Sequence, residues 1–346
     1  MDASKIVTLK SIAQKAGVSL MTVSRALRKQ GNVSPETRAK IEQIAKQLGY
    51  RPHPLVSALM SYRRAAKPAQ SHSSLAFITS FPTRDGWKNR KIYQEFFQGA
   101  AESADQHGYR LEEFWLREAG MSAQRLSKIL YNRNISGLII APLPVSQGHL
   151  RFDWDKFSAV TFSYTLARPL LHRIANHQFR SMRLAMRQLR RMGYGRIGLA
   201  MPASLDARIG HQWMGAFLME QRRHPVKERI PVCLLEDREW NEANFREWFL
   251  RHKPDVIVSQ QVKIIEWLQS LGRNVPKDVG FAHLNCPDAS GRFAGVYQNS
   301  VVIGRAAVDF LVSMIQRNER GVPALAHTLL VEGSWVDGVT VRKSGV

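Results

Sequence analysis

Residues 18–27 read VSLMTVSRAL, and the fold of the amino end turns on how that run is placed. As a helix it puts Val23, Ala26 and Leu27 on one apolar face and Met21, Ser24, Arg25 and then Arg28 on the other, with Leu20 at the border. Such a helix needs a core on one side and a partner on the other. Its neighbours supply the core. Thr8 caps a helix from Leu9 to Ala16 with Leu9, Ile12, Ala13 and Ala16 on one stripe, and Gly17 stops it. Ser19 caps the next helix, with Val18 packing on Val23 as a hydrophobic staple. Ser34 and Pro35 open a third helix that turns Ile41, Ile44, Ala45 and Leu48 inward before Gly49. Three short helices, the first two joined by a tight glycine turn, predict a helix-turn-helix. In that layout the second helix enters the major groove of DNA with its N-terminal residues at base edges. Arg25 suits bidentate pairing with guanine O6 and N7, and Leu20 and Met21 suit thymine methyls. The competing structural reading puts Leu20 in the core and leaves Arg25 as a surface charge.

Charge favours the first reading. The chain of 346 residues has 50 Lys and Arg against 28 Asp and Glu, a net charge of +22. Residues 1–74 hold 13 of those bases and 3 of the acids, so +10 sits on about a fifth of the chain and points to a polyanionic partner. Arg180, Arg183, Arg187 and Arg190 recur at helical spacing and read as a solvated helix face. Two cysteines far apart, Cys233 and Cys286, argue against a disulfide framework or thiolate metal cluster. With no apolar leader core and no run of roughly 18 apolar residues, the expectation is a cytoplasmic protein with no membrane partner.

The stretches VTLKSIAQKAGVSLMTVSRAL and VSPETRAKIEQIAKQLGYRPHPLVSALM closely resemble the headpiece of the LacI/GalR family of bacterial transcriptional regulators, over residues 7–60. The resemblance implies that Leu20 and Met21 hold the variable specificity positions and Arg25 reads a base, with Arg28 beside it on the same face. Thr8, Ser19, Thr22, Ser24, Asn32 and Tyr50 fall where the family contacts phosphates, and Ser34, the cap of the third helix, joins that backbone set. A Pro-, Ser- and base-rich linker follows, in which PLVSALM could form two helical turns that leave Leu55, Val56, Leu59 and Met60 in need of a partner. By resemblance Leu59 is the wedge pushed into the minor groove, with Val56 next to it. This hinge departs from the usual pattern at His53, Val56 and Ser57.

From residue 75 strands alternate with helices of similar length, which predicts parallel sheets in two lobes. Ligands of such architecture sit beyond the carboxyl ends of the strands, here in the cleft between lobes. The GYGRIG run at Gly193, Gly195 and Gly198 matches a dinucleotide fingerprint by letter, but it closes a helix and opens a strand, the reverse of what that motif needs. No other catalytic motif occurs, and His172 and His177 read as surface or cleft residues, so neither metal, cofactor nor enzymatic activity is expected.

By resemblance this part is the family's effector-binding and dimerisation core, related in fold to periplasmic sugar-binding proteins. Phe97-Gln98-Gly99-Ala100-Ala101 and Met192–Gly198 carry the match. Sugar-contacting positions are altered: Gln212 stands where members have arginine, Gln260-Gln261 replace Asn-Asp, and Gly280-Phe281-Ala282-His283 lacks the usual carboxylates. Candidate effector contacts are Tyr93, Ser163, Tyr164, Arg208, Gln212, Gln260 and His283.

The expected fold is an all-α helix-turn-helix headpiece (1–52), a hinge helix and linker (53–74), and an α/β two-lobed periplasmic-binding-protein-like core of parallel sheets and Rossmann-like lobes (75–346). Lobe 1 takes about 75–172 and 299–324, lobe 2 about 173–298 and 325–346. The expected function is a homodimeric repressor on a palindromic double-stranded DNA operator, controlled allosterically by a small sugar-like effector. The competing classes are a solute-binding protein and a sugar-acting enzyme without specific DNA binding.

Overall fold

The computed structural model describes residues 8–27, 33–50 and 73–342, without the side chain of Ser24. Arg28, Asn32, Val56 and Leu59, with the rest of the hinge, lie outside the described residues.

Three helices form the amino-terminal unit: α1 (Leu9–Ala16), α2 (Leu20–Leu27) and α3 (Pro35–Gln47). Each start is held by a local cap. Thr8 and Ser11 make a reciprocal capping box, in which the Ser11 hydroxyl accepts the Thr8 N–H at 2.8 Å. Ser19 Oγ accepts the Thr22 N–H at 3.0 Å, and Ser34 Oγ accepts the Thr37 N–H at 3.2 Å. Gly17 ends α1 at φ 72°, a left-handed backbone that glycine adopts without a Cβ penalty. Ile12, Val23, Ala26 and Ile41 are wholly buried between the helices, and Val18, Leu27 and Leu48 close the rim of this core.

Two α/β lobes follow. The first lobe is built on β1 (Ser73–Thr79), β2 (Tyr109–Trp115), β3 (Gly137–Ile140), β5 (Ser158–Phe162), β7 (His172–Asn176) and β13 (Thr328–Val331), in the order β13-β7-β5-β3-β1-β2 and parallel throughout. The short strands β4 (Gly148–His149) and β6 (Leu166–Arg168) pair separately. Helices α4 (Lys91–Gln106) and α5 (Ala123–Asn132) are the crossovers. In the second lobe, α6 (Gln178–Arg191) leads into β8 (Ile197–Pro202), and α7 (Ala203–Ala207), α8 (Gln212–Gln221), α9 (Glu242–His252) and α10 (Lys263–Ser270) lie between the strands β8, β9 (Cys233–Leu235), β10 (Val256–Ser259) and β11 (Gly280–His283), with β12 (Ala294–Tyr297) following. The chain then returns through α11 (Ser300–Arg317), which packs on α4, and ends with β14 (Ser334–Val336) antiparallel to β12. The α4–α11 contact is close enough that a Cβ on Gly99 would lie 2.0 Å from Val301 O, and one on Gly304 2.2 Å from Phe96 O.

The lobe boundaries differ from those read in the sequence. Residues 173–176 continue β7 of the first sheet, and 328–331 add β13 to its edge, so both belong to lobe 1 rather than lobe 2. Neither stretch has a strong strand pattern; backbone pairing with β5 and with each other places them. Two side-chain expectations also change. His172 is buried, with Nε2 2.9 Å from Glu319 Oε1 and Nδ1 accepting the His327 N–H at 2.9 Å. The arginines of α6 are not all solvated: Arg183 Nε meets Glu220 at 2.5 Å and Arg190 Nη1 meets Glu228 at 2.6 Å, both partly buried. The GYGRIG run does lead out of α6 and into β8.

Candidate nucleic-acid interface and ligand cleft

The outer face of α2 is apolar and basic where it should be polar if water were its only neighbour. Leu20 and Met21 are 50% and 60% exposed, next to an exposed Arg25, while Val23 and Ala26 opposite are fully buried. Arg25 has no carboxylate in ion-pair range among the described residues. Thr8, Ser19 and Ser34 sit at helix N-termini, where the capping hydroxyls and free first-turn N–H groups favour an anion. Thr22 completes this edge, its hydroxyl 2.8 Å from that of Ser19. Tyr50 is half-buried against the headpiece core, its N–H bonded to Ala45 O at 3.0 Å. Lys10, Lys15, Lys40 and Lys46 are exposed around the same small unit.

The second site lies between the lobes. A cavity of about 70 Å³ is lined from lobe 1 by Arg90, Tyr93, Phe96 and Ser163, and from lobe 2 by Arg208, Trp213 and Gln260. An adjoining compartment of about 270 Å³ continues past Gln260 to Lys91, Glu95, His283 and Asn285. Arg208 spans the cleft: Nη1 donates to Pro144 O at 2.9 Å, and Nη2 to Leu143 O at 2.8 Å and to Tyr93 Oη at 3.1 Å. Two further bridges lie at the wider end. Tyr297 Oη is 3.2 Å from Glu95 Oε2, and Lys91 Nζ is 3.6 Å from Asp288.

The electrostatics of this cleft follow from its burial. Desolvation holds His283 at about 4, so the imidazole is neutral, and its Nδ1 accepts the Asn285 N–H at 3.0 Å. Desolvation also raises the Glu95 carboxyl above its ordinary value and pushes Tyr297 to about 12. The indole N–H of Trp213 is buried without an acceptor. Both thiols, Cys233 and Cys286, are buried and pushed up to about 12, which leaves them inert.

Of the seven effector candidates, Tyr93, Ser163, Arg208, Gln260 and His283 line the cleft. Two do not. Gln212 turns its amide to Ile209 O at 3.0 Å, on its own helical turn, and Tyr164 packs against the lobe 2 core with the Arg173 guanidinium 4.8 Å over its ring. Sequence reasoning missed Arg90, Trp213, Asn176, Gln178, Asn285 and Gln298. Their only sequence signal is a place at strand or helix ends.

Residues 8–53 match the family described as bacterial regulatory proteins, lacI family, and residues 186–341 match the periplasmic binding protein-like domain. The ribose operon repressor of Lactococcus lactis subsp. lactis (strain IL1403) is 33% identical over 132 residues, 38% of this chain and 36% of that protein. The chain thus spans about a third of the length of the curated relatives it matches. Among solved structures, the transcriptional regulator CelR–cellobiose complex covers 98% of this chain and 100% of its own, with TM-score 0.55 and 20% identity. The lac repressor dimer bound to operator and the anti-inducer ONPF covers 97% and 99%, with TM-score 0.53 and 19% identity. These likenesses establish the fold: a helix-turn-helix unit joined to a two-lobed, periplasmic-binding-protein-like domain. Within that class the amino-terminal unit, residues 8–53, is similar to the lacI family of bacterial regulatory proteins. The relatives it matches are named as transcription regulators, not enzymes, and among the described residues no helix is long and apolar enough to cross a membrane.

Proposed function

We propose that this chain is a cytoplasmic, sequence-specific DNA-binding transcriptional regulator, a repressor that binds a palindromic operator as a homodimer and responds to a small polyhydroxylated ligand in the interlobe cleft. The observation that carries the reading is the outer face of α2, with Leu20, Met21 and Arg25 exposed beside one another on a helix whose other face is locked into a core. A surface of that kind gains nothing from water and fits the floor of the major groove.

In this reading Leu20, Met21, Arg25 and Arg28 contact bases. Thr8, Ser19, Thr22, Ser24, Asn32, Ser34 and Tyr50 seat the unit on phosphates, and Val56 and Leu59 of a paired hinge enter the minor groove. The headpiece comprises residues 1–52 and the hinge 53–74. Tyr93, Ser163, Arg208, Gln260 and His283 make the ligand site. Arg208 and Tyr93 come from different lobes, so a ligand placed between them changes lobe closure. Its differential affinity for two lobe arrangements then shifts the population in which two hinges can pair on DNA. One structural neighbour was solved with cellobiose and another with operator DNA, in keeping with both halves of the proposal.

The test compares a symmetric candidate operator with a random duplex over a salt series. Operator binding that persists at a salt level abolishing random-duplex binding is the expected result. Equal loss on both duplexes would return the chain to the class of solute-binding proteins with an idle basic tail.

A further inference from the structure

We propose that the ligand of this cleft is an anion: a polyhydroxylated small molecule bearing a carboxylate or phosphate, seated between Arg90 and Arg208. The inference rests on the cleft being the regulatory site and adds the charge of what fills it.

Two guanidiniums flank one ring. Arg208 Nη2 lies 3.1 Å from Tyr93 Oη, and the Arg90 guanidinium carbon is 5.9 Å from the centre of the Tyr93 ring. Both line the inner cavity, and no Asp or Glu lines it among the described residues. Arg208 is half-buried, yet its partners are two carbonyls and a phenol, all neutral. Nor does Arg90 have a carboxylate in range among the described residues. A partly desolvated cation with only dipoles around it is incompletely compensated, and an anion between the two arginines would complete the pairing.

A second observation points the same way. Trp213 is 2% exposed, lines this cavity, and its indole N–H has no acceptor. Like the guanidiniums it can only donate. Five other lining side chains are carboxamides, Asn176, Gln178, Gln260, Asn285 and Gln298, which can donate as well as accept, and Gln178 and Gln298 already bond each other. Neutral sugars are commonly gripped by acceptors as well as donors; here the charged acceptors are missing from the inner cavity. Glu95 lines the adjoining compartment, where Tyr297 already donates to it. Gln212, at the start of α8, is turned away onto Ile209 O, and Arg208, just past the end of α7, reaches across to the opposite lobe. The acidic group of the ligand would take over donors that Arg208 now spends on Leu143 and Pro144, which ties occupancy to the lobe contact.

The experiment measures binding to the full chain by calorimetry and thermal shift at constant ionic strength. The probes are matched sets of aldoses, their uronates and their 6-phosphates, with inorganic phosphate as a free-anion control. At least one acidic member should bind at least about tenfold more tightly than its neutral parent. Arg208→Gln and Arg90→Gln should each remove about ten- to hundredfold of that advantage, and Arg208→Lys, which keeps the charge, should retain part of it. The uronate and phosphate arms decide which acid is read. Melting of each unliganded variant separates lost binding from lost folding. Neutral parents that bind as tightly as their acids, or an acid preference that survives in both Gln variants, would overturn the anion inference while leaving the cleft as the ligand site. Inorganic phosphate matching the sugar acids would overturn it too, since only a bare anion site would remain. Binding by no member of any set would overturn the cleft reading along with it.

Discussion

Replacing Ile41 by alanine tests whether the headpiece is held by the small core on which the DNA-facing helix depends. Ile41 is wholly buried in α3, on the side that meets α1 and α2, and far from the exposed face of Leu20 and Met21. Its neighbours there are Ile12, Val23 and Ile44, together with alanines that have no side-chain volume to fill a hole. Losing three carbons costs about 0.8 kcal/mol each in transfer energy, roughly 2.4 kcal/mol, and the residual cavity brings the total to about 3–4 kcal/mol. A unit the size of residues 8–50 has roughly 2–6 kcal/mol of stability in all. The substitution therefore consumes most of it. In a calorimetric or circular-dichroism scan of the full chain, the headpiece transition should fall by at least about 12 °C, at 4–8 °C per kcal/mol for a small domain, while the two-lobed core is unmoved. Operator binding should weaken modestly at 25 °C and be lost at 37 °C, as the competent fraction falls. A headpiece transition within about 4 °C of the parent, or a core transition that falls equally, would refute the reasoning.

Arg25→Ala should weaken operator binding by about 1–3 kcal/mol and relax preference at one base pair per half-site, read by competition with single-base operator variants; unchanged discrimination removes Arg25 from the reading set. His283 supplies a pH dependence whose sign is set by burial. The folded chain keeps it neutral down to about 4, whereas the unfolded chain takes up a proton near pH 6.5. The unfolded state therefore binds more protons between those values, and stability falls as pH drops through that window, by on the order of 3 kcal/mol in full. Urea titrations between pH 6.5 and 5, above the range of the carboxylates, should show a shallower decline in His283→Gln than in the parent; identical slopes would discount this group. Gly304→Ala places a methyl 2.2 Å from Phe96 O and 2.8 Å from Ala100 N, both backbone atoms, so α11 must lift from α4 at a cost of about 1–3 kcal/mol, visible as a lowered core melting temperature.

The headpiece was legible because its determinants are local. Thr8, Ser19 and Ser34 bond to N–H groups three residues on, Gly17 turns its own backbone, and the division of α2 into two faces follows from helical period alone. The cleft was only partly legible. Tyr93, Ser163, Arg208, Gln260 and His283 were found because they sit at the ends of recognisable strands and helices. Gln212 and Tyr164 were misplaced because local backbone decides what such a side chain meets: Gln212 turns onto Ile209 O, and Tyr164 packs against the lobe 2 core beneath Arg173. Arg90, Asn285 and Gln298 carry no periodicity and come together from positions up to about two hundred residues apart.

What the chain alone determined, then, was the helix-turn-helix, the alternation of strands and helices, and the basic character of the amino end, all properties of neighbours in sequence or of summed charge. What only the folded molecule decided was which strands share a sheet, with 173–176 and 328–331 joining lobe 1, and which side chains face one another across the cleft. The reason is physical: strand partners and cleft walls are selected by long-range backbone pairing and packing, whose energy is realised only after distant segments meet.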